Sequence, residues 1–443
     1  MTRRLEKTPA KVPVTAKQAG ETAPKWQWVE PSVWTDRMLA ALEHGVKGGK
    51  WFSLIDKVHT SSNLWAALDR VASNKGAPGV DHVTVEMFVE RAEENLSKLR
   101  DELGEEQYRP QSIRRKWIPK PGSNEQRPLG IPTVRDRVAQ TALRNVIEPI
   151  FEREFAEHSY GFRPGRGCKD ALRRVEYLLK RGYTYVVDVD LKSYFDMIPH
   201  VPLLERVREN VSDGRILRLV EAYLKQGVLE ELGEWTPEKG TPQGAVISPL
   251  LANIYLNPLD QQMAERGVEM VRYADDFIII CRSEAGAKQA LRWTEEWIRA
   301  AGLTIHPEKT RIVDTGTDGF DFLGYHFAEG TKRPRKKSLK KLKDTIRNKT
   351  HRCNGYSLKA IIADVNKTLI GWFAYYKHSH RYTFLDLDPW IRMRLRSILR
   401  KRAGKRGRGR GNDNVRWTNR FFAEQGLFSL TTASASARQS ALR

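Results

Sequence analysis

Residues 270–280 read Met270-Val271-Arg272-Tyr273-Ala274-Asp275-Asp276-Phe277-Ile278-Ile279-Ile280, and the architecture of the whole chain follows from them. Two short β-rich runs flank Asp275 and Asp276, which predicts a hairpin with two adjacent carboxylates at its bend. Adjacent carboxylates repel each other, so keeping both ionised requires a cation between them. Ligands that are all oxygen favour a hard ion, Mg²⁺ with Mn²⁺ as a substitute, over zinc.

A third carboxylate would complete a site for two such ions, the arrangement that activates a 3′-hydroxyl and stabilises leaving pyrophosphate. A buried, β-branched strand is predicted over residues 183–190, and it ends in Asp188-Val189-Asp190. Both aspartates face one side because strand side chains alternate, so spacing alone leaves open which of them is the ligand. The alternative for Asp275 and Asp276 is a solvated surface turn, since short motifs recur by accident.

The bulk composition is that of a globular protein with two or three domains. The chain has 443 residues, of which 40% are hydrophobic and 29% charged. No apolar run approaches the ~18 residues of a membrane span, and the N-terminus lacks the apolar core of a signal peptide. The three cysteines form no CxxC pair, which argues against a zinc module or a disulfide framework and predicts a cytoplasmic protein.

The formal net charge of +22 is concentrated in the last quarter of the chain. Residues 331–443 hold 29 Lys and Arg against 6 Asp and Glu, whereas the residues before them hold 47 against 48. Such an asymmetry indicates a module that binds a polyanion. The alternative, a solvated basic tail, is disfavoured because aromatic and apolar residues are interleaved throughout.

Two segments predict contacts with a nucleotide. Residues 113–132 alternate as two strands around a turn, with Lys120 and Arg127 near the tip, and a basic hairpin of this kind can grip a triphosphate. The alternative is an exposed charged hairpin. Residues 240–253 form a Gly/Pro loop that runs into a helix, and they can present backbone and the Gln243 amide to a base pair. A single helix is expected over residues 203–227.

Other segments predict contacts with nucleic acid. Residues 160–167 place arginines beside glycine backbone, which suits a phosphate-bearing strand. Beyond residue 331 the pattern changes to basic helices, and the aromatic run 369–376 is interpreted as helix core rather than as a base-stacking platform. The Gly/Arg/Lys run 401–410 is expected to be flexible and to follow backbone phosphate. The cations expected to bind nucleic acid are Arg163, Arg166, Lys336, Lys337, Lys340, Lys341, Arg402, Lys405, Arg406, Arg408 and Arg410.

Taken in order, these motifs resemble the reverse transcriptase/maturase proteins encoded by bacterial group II introns. The downstream run 370–376 is similar to the maturase (X) thumb of that family, and residues 416–430 are similar to its closing segment. No Cys/His cluster follows, which implies the class C-like subgroup without an HNH endonuclease domain. The blocks that carry the resemblance are 75–81, 118–132, 160–167, 188–200, 240–249, 273–276, 307–310 and 322–325.

The resemblance implies roles for individual residues. Catalysis and metal binding fall to Asp190, Asp275 and Asp276, with the Leu191 carbonyl assisting, so that Asp190 rather than Asp188 is the first ligand of two Mg²⁺. Phe195 occupies the position of the steric gate that rejects a ribonucleotide. The other dNTP-binding positions are Lys120, Arg127, Gln243, Gly244 and Lys309. One departure concerns Ala245, which stands where the family more commonly has a second glycine.

The resemblance also implies a fold and a function. The expected fold is α+β, a right-hand polymerase with fingers and palm over residues 51–330, preceded by a flexible arm and short helix over 1–50. An α-helical thumb/maturase domain over 331–400 and a basic DNA-binding segment over 401–443 follow.

The implied enzyme is an RNA-directed DNA polymerase that uses an RNA template, a DNA primer and dNTPs. Its other partners are intron RNA, whose splicing it assists, and target DNA, with no membrane. The alternatives are a splicing-only maturase and a domesticated, for example CRISPR-associated, reverse transcriptase. Retron and diversity-generating enzymes are disfavoured by residues 240–244 and by the long basic thumb.

Overall fold

The computed structural model of the protein describes residues 26–46, 48–119, 126–230 and 233–441. Lys120, predicted at the tip of the basic hairpin, lies outside these residues. In chain order the helices are α1 (Asp36–His44), α2 (Ile55–Val58), α3 (Ser61–Asn74), α4 (Val85–Glu90), α5 (Ala92–Gly104), α6 (Val134–Glu154), α7 (Cys168–Lys180), α8 (Tyr194–Met197), α9 (His200–Asn210), α10 (Gly214–Leu224), α11 (Ser248–Glu265), α12 (Glu284–Ala300), α13 (Lys336–Lys349), α14 (Leu358–Tyr376), α15 (Tyr382–Arg402), α16 (Asp413–Arg416), α17 (Asn419–Glu424) and α18 (Leu430–Ala441). The strands are β1 (Ile113–Pro119), β2 (Gln126–Ile131), β3 (Tyr185–Asp190), β4 (Val228–Glu230), β5 (Gly233–Trp235), β6 (Glu269–Tyr273), β7 (Asp276–Cys281), β8 (Arg311–Asp314), β9 (Phe320–Phe322), β10 (Tyr325–Ala328) and β11 (Thr331–Pro334).

The helices and mostly antiparallel sheets of the chain confirm the predicted α+β class. The chain divides into two compact units. The first unit comprises Met1–Lys116, Gly130–Phe155 and Pro199–Tyr255. The second comprises Trp117–Leu129, Ala156–Ile198 and Leu256–Arg443.

The first unit is built around α6, which is buried along most of its length. Its N-terminus is capped by the Thr133 side chain, which accepts a hydrogen bond from the Asp136 N–H. Helix α3 packs against α6 through the buried Asn63, whose amide donates to the Ala142 carbonyl (3.0 Å) and accepts from the Asn145 amide (2.8 Å). These polar side chains are tolerated inside the core because each finds a partner.

The helix predicted over residues 203–227 is instead two helices, α9 and α10. The chain between them leaves the helical conformation at Val211, which bridges to Trp51. Asp213 then caps α10 by accepting hydrogen bonds from the Arg215 and Ile216 N–H groups. Apolar periodicity continues through both helices, which is why the pattern did not reveal the break.

The second unit contains an antiparallel sheet with the strand order β6-β7-β3-β8. Its apolar side chains, among them Val186, Val271, Ile278 and Val313, form a core that also includes side chains of α7. Helix α12 packs on β3, β7 and β8. The strand predicted over 183–190 and the hairpin predicted over 270–280 are therefore neighbours in one sheet.

The meander β9–β10–β11 joins this sheet to the helices that follow. Its first turn has positive φ at Leu323 (46°) and Gly324 (83°), and the Tyr375 hydroxyl donates to the Leu323 carbonyl at 2.7 Å. The Tyr325 hydroxyl in turn donates to the Tyr375 carbonyl at 2.8 Å. The aromatic run 369–376 is thus packed inside the unit, as predicted.

A second core of this unit joins α13, α14 and α15 to the residues that follow them. Phe422 and Leu430 are fully buried in it. The run 401–410, expected to be flexible, is anchored at two points. The Gly409 N–H donates to Ser397 Oγ (3.0 Å), and the Arg400 guanidinium donates to the Arg406 carbonyl (2.7 Å). Within the described ranges, no helix has both the length and the apolar character needed to cross a bilayer.

Candidate active site

Asp190 and Asp276 lie opposite each other at the ends of two adjacent strands. Asp190 is the last residue of β3 and Asp276 the first of β7, and the two are directly opposite in the antiparallel pairing. Directly opposite residues point to the same face of a sheet, with Cβ atoms about 4.5–5.5 Å apart. The register thus brings together two acidic side chains that are distant in the sequence.

Asp275 belongs to the two-residue turn of the β6–β7 hairpin. Tyr273 pairs with Asp276, which leaves Ala274 and Asp275 as the loop residues. Of these, Ala274 has the positive φ of 60°, which a type II′ turn requires at its first central position. A non-glycine residue in this region is strained by about 1–3 kcal/mol, so the surrounding structure must hold the turn in place.

A buried ion pair supports the turn from below. Arg272 is completely buried, and its guanidinium contacts the carboxylate of Asp260 on α11 at 2.5 Å. The same guanidinium donates to the Ala274 carbonyl at 2.9 Å. Although burial opposes it, the charge of Asp260 raises the pKa of Arg272, so this arginine stays charged inside the protein.

The glycine-containing segment before α7 packs directly on the turn. The Tyr160 N–H donates to the Arg272 carbonyl (2.8 Å), and the Arg272 N–H donates to the His158 carbonyl (3.0 Å). A Cβ placed on Gly161 would lie 2.2 Å from the Ala274 backbone nitrogen, a distance that no side chain can adopt. Residues 158–161 therefore form a single parallel bridge to β6, from Ser159 to Arg272, and Gly161 permits their close contact with the turn.

On its other side, Asp190 is held by the segment that precedes β8. Lys309 Nζ lies 3.2 Å from an Asp190 carboxylate oxygen, and the Asp190 N–H donates to Thr310 Oγ1 at 3.3 Å. The Asp190 carbonyl accepts from the His306 N–H at 2.7 Å. Both partners of the ion pair are substantially exposed, so solvent screens its energy.

The electrostatics of the site favour a bound cation. Burial, followed by the charges of Asp188 and Asp275, raises the pKa of Asp276 to about 7. Burial likewise raises the pKa of Asp275, with the Asp190 charge adding to it. Although neighbouring groups crowd its carboxylate, Asp276 keeps part of its surface exposed, so solvent screens part of the repulsion. A divalent ion would remove the rest.

The donor chemistry of these residues fits Mg²⁺. All three candidate ligands are carboxylates, the oxygen ligands that this ion prefers. Among the described residues, no three or more His, Cys, Asp and Glu side chains already converge as a metal cluster. The fit therefore depends on the donor set and the strand register rather than on a preformed cage.

The neighbouring Asp188 is on the same face of β3 but has a different partner. It pairs with Arg311 of β8, whose guanidinium lies 4.0 Å from its carboxylate. Burial raises the pKa of Asp188 to about 6 against the opposing charge of Arg311. Because Asp188 precedes Asp190 by two residues on β3, it lies one pleat further from the hairpin turn.

The remaining predicted nucleotide contacts lie on several elements. Leu191 is buried and bridges to Ile305, and Phe195 on α8 is half-buried with its ring 5.5 Å from that of Tyr194. Arg127 is exposed on β2 in the second unit. The roles implied for these residues stay predictions.

The loop that contains Gln243 and Gly244 belongs to the first unit. The Gln243 carbonyl accepts from the Gly130 N–H at 2.6 Å, and the Gln140 side chain accepts from the Val246 N–H at 2.8 Å. Gly244 has a φ of +112° and is exposed. These contacts fix the loop conformation.

The predicted nucleic-acid contacts differ in exposure. Arg163, predicted to bind nucleic acid, is buried, and its guanidinium donates to the carbonyls of Ala156 (2.5 Å) and Ser159 (2.8 Å). Arg166 is half-buried and donates to the Glu157 carbonyl. A further group is exposed: Lys336, Lys337, Lys340, Lys341, Arg402, Lys405, Arg406, Arg408 and Arg410.

Sequence reasoning missed the supports of the site. Arg272 lies inside the quoted stretch, and an arginine at a core-facing strand position is itself a signal of a buried partner. Asp260 and Gly161 carried no comparable signal, because their roles depend on contacts across the fold.

Two family models match the chain. Residues 118–327 match the reverse transcriptase (RNA-dependent DNA polymerase) family, and residues 339–417 match the group II intron maturase-specific domain. Protein YkfC of Escherichia coli K12 is 37% identical over 295 residues, which are 57% of this chain and 77% of YkfC.

A second relative is the group II intron-encoded protein LtrA of Lactococcus lactis subsp. cremoris. It is 39% identical over 199 residues, which are 44% of this chain and 33% of LtrA. Among solved structures, a chain of a partial Cas6-RT-Cas1–Cas2 complex aligns with a TM-score of 0.36 and 23% identity, covering 56% of this chain and 42% of that chain. The family matches and the coverage of YkfC show that the chain belongs to the reverse transcriptases that carry a group II intron maturase-specific domain.

Proposed function

We propose that the protein is an RNA-directed DNA polymerase of a group II intron, which also binds intron RNA to assist splicing. In this proposal it extends a DNA primer on an RNA template with dNTPs, and it supports intron mobility by target-primed reverse transcription at a target DNA. The observation that carries the proposal is the β3–β7 register, which places Asp190 opposite Asp276 with Asp275 in the adjoining turn.

The three carboxylates and the Leu191 carbonyl would hold two Mg²⁺. When bound, these ions would lower the pKa of the primer 3′-hydroxyl and neutralise charge on the leaving pyrophosphate. The buried Arg272–Asp260 pair holds the turn, and so fixes where Asp275 and Asp276 present their oxygens. Lys309 supplies a positive charge beside Asp190, where the triphosphate of the incoming nucleotide would be attracted.

The other contacts of the nucleotide follow from the family. Phe195 would exclude a ribose 2′-hydroxyl, and Arg127, Gln243 and Gly244 would contact the triphosphate and the base pair, together with Lys120. The exposed cations on α13 and in the run 401–410 would bind phosphates of intron RNA and target DNA.

We assign the fingers and palm to residues 51–330 after an arm over 1–50, the maturase/thumb to 331–400 and a basic nucleic-acid-binding segment to 401–443. The family matches at 118–327 and 339–417 are separated near residue 330, which supports that boundary, whereas the maturase match continues past residue 400. We also place the protein in the cytoplasm, a reducing compartment in which its free cysteines stay reduced.

The test is extension of a DNA primer on an RNA template with Mg²⁺, comparing Asp275→Asn and Asp190→Asn with the unmodified protein. We expect both variants to lose extension while they bind RNA normally, since the substitutions remove metal ligands and leave the backbone intact. Phe195→Ala should admit rNTPs that the unmodified protein rejects.

Asp188→Asn is the matched control, because it changes a carboxylate of the same strand and face that is not assigned to the metals. It should retain extension. Extension that survives Asp190→Asn but not Asp188→Asn would reverse that assignment. An unmodified protein that binds RNA tightly and makes no DNA would refute the polymerase and leave a splicing-only maturase.

A further inference from the structure

A cavity of about 300 Å³ lies in the second unit, away from the strand ends that carry the catalytic carboxylates. It is bounded by β11, the turn between α14 and α15, and α18. Its lining is predominantly basic or polar and includes Lys332, Lys377, His378, Ser379, His380 and Arg438.

The positive charge in this cavity exceeds the negative charge. Glu176 is the single acidic residue among the described lining, and it is engaged by Lys332 and by Lys180 (3.2 Å). Lys377 and Arg438 have no carboxylate partner in the portion of the chain that the structure describes. Burial, followed by the charges of Lys332 and Lys377, lowers the pKa of His378, as expected in a positive environment.

Two polar atoms of the lining are also unsatisfied. Ser379 is only 3% exposed, and its hydroxyl has no hydrogen-bond partner among the described residues. The Tyr325 hydroxyl lies beside it, but it donates its hydrogen bond to the Tyr375 carbonyl at 2.8 Å. His380 Nδ1 is buried without a partner as well. Buried polar atoms in native proteins are normally paired, so these two indicate a ligand with hydrogen-bonding oxygens.

We propose that this cavity binds a phosphodiester group of an RNA strand, at a site separate from the catalytic carboxylates. Lys377 and Arg438 match the negative charge of the phosphodiester group, and the Ser379 and His380 side chains can form hydrogen bonds with its oxygens. The volume is at the lower end of the roughly 300–1,000 Å³ typical of ligand sites, which suits a phosphate with part of its sugar. The inference rests on the RNA-binding part of the proposed function.

The test measures binding of the full chain to a hairpin RNA with a single-stranded 3′ extension, at several salt concentrations. In Lys377→Gln/Arg438→Gln we expect affinity near physiological salt to fall by roughly fivefold for each lost contact. The slope of log K against log salt should lose about 0.7–0.9 per contact. Lys288→Gln removes a single exposed charge of α12 outside the cavity. It is the control for each of the two charges lost and should bind within about twofold of the unmodified protein.

Ser379→Ala separates a built site from diffuse attraction, because it removes a hydroxyl without changing charge. We expect its affinity to fall by roughly five- to tenfold with an unchanged salt slope. Melting temperatures of all variants would establish that they are folded. If the double variant binds like Lys288→Gln, or if Ser379→Ala binds like the unmodified protein, the site is refuted.

A DNA hairpin of the same sequence also carries phosphodiester groups, so binding of every variant to it is measured in parallel. Losses that are equal on RNA and DNA would still support a phosphodiester site, whereas a loss on DNA alone would overturn its assignment to RNA. Primer extension on a short template should be unchanged in the pocket variants. Failure of the polymerase proposal would instead appear as absent extension by the unmodified protein.

Discussion

Asp276 shows how the proposed metal ligands affect the stability of the fold. Its pKa is raised to about 7, whereas an aspartate in an unfolded chain titrates near 4. The folded state therefore holds this proton more tightly than the unfolded state does. The resulting stabilisation is fully present below roughly pH 4 and is lost as the pH rises towards 7.

We expect Asp276→Asn to raise the melting temperature at about pH 8, because the variant removes a carboxylate that is repelled by its neighbours. The difference should shrink at about pH 5, where Asp276 is protonated. Mg²⁺ should raise the melting temperature of the unmodified protein more at pH 8 than at pH 5. Thermal unfolding across this pH range checks the prediction, with the exposed Asp386→Asn as control, and parallel profiles would contradict it.

Gly161 offers a second test at a single position. We expect Gly161→Ala to lower primer extension at least tenfold and the free energy of unfolding by about 1–3 kcal/mol, because its Cβ would displace the Ala274 backbone. Gly371→Ala is the matched control, since nothing lies within 4 Å of the added methyl. At this helical site alanine should be neutral or stabilising by about 0.5–1 kcal/mol. Normal extension by Gly161→Ala would show that the turn tolerates a shift.

The hairpin β6–β7 depends on an ion pair with α11. Removing one partner of a buried pair leaves an uncompensated charge, so we expect Asp260→Leu to lower the free energy of unfolding by about 3–5 kcal/mol. The double variant Asp260→Leu/Arg272→Met should recover much of that stability. It should not recover primer extension, because the donor to the Ala274 carbonyl is gone.

Chemical denaturation and primer extension on the same samples check this separation. Full recovery of both properties in the double variant would mean that the pair serves stability alone. No recovery of either would mean that the apolar pair cannot occupy the space.

The elements also show what the sequence could predict. The alternation at Asp188 and Asp190 and the bend at Asp275 follow from local period, and the structure has the two aspartates on β3 and Asp275 in the β6–β7 turn. The break at Val211 could not be foreseen, because its bridging partner Trp51 is distant in the sequence. The burial of Arg163 could not be foreseen either, because it depends on the irregular backbone of residues 156–159, whose carbonyls carry no periodic pattern. Local pattern specifies an element well and its long-range partners poorly.

For the whole molecule, the last quarter of the chain combines the excess positive charge with part of a core. We expect a chain ending at Arg400 to lose the packing of α13–α15, because Phe422 and Leu430 each bury a side chain worth about 1.5–3 kcal/mol. Limited proteolysis should then cut within these helices. The full-length Arg406→Gln/Arg408→Gln should resist proteolysis and lose only RNA affinity, and equal resistance of the shortened chain would refute the structural role.

The position of Leu430 in that core also matters during synthesis. A nascent polypeptide folds from its N-terminal side as it leaves the ribosome, so the β6-β7-β3-β8 sheet can form while the helical core still lacks its final residues. A ribosome that stalls before Leu430 releases a product whose apolar helices lack their cover. Cellular proteases remove such products, so only a polymerase with a finished helical domain accumulates.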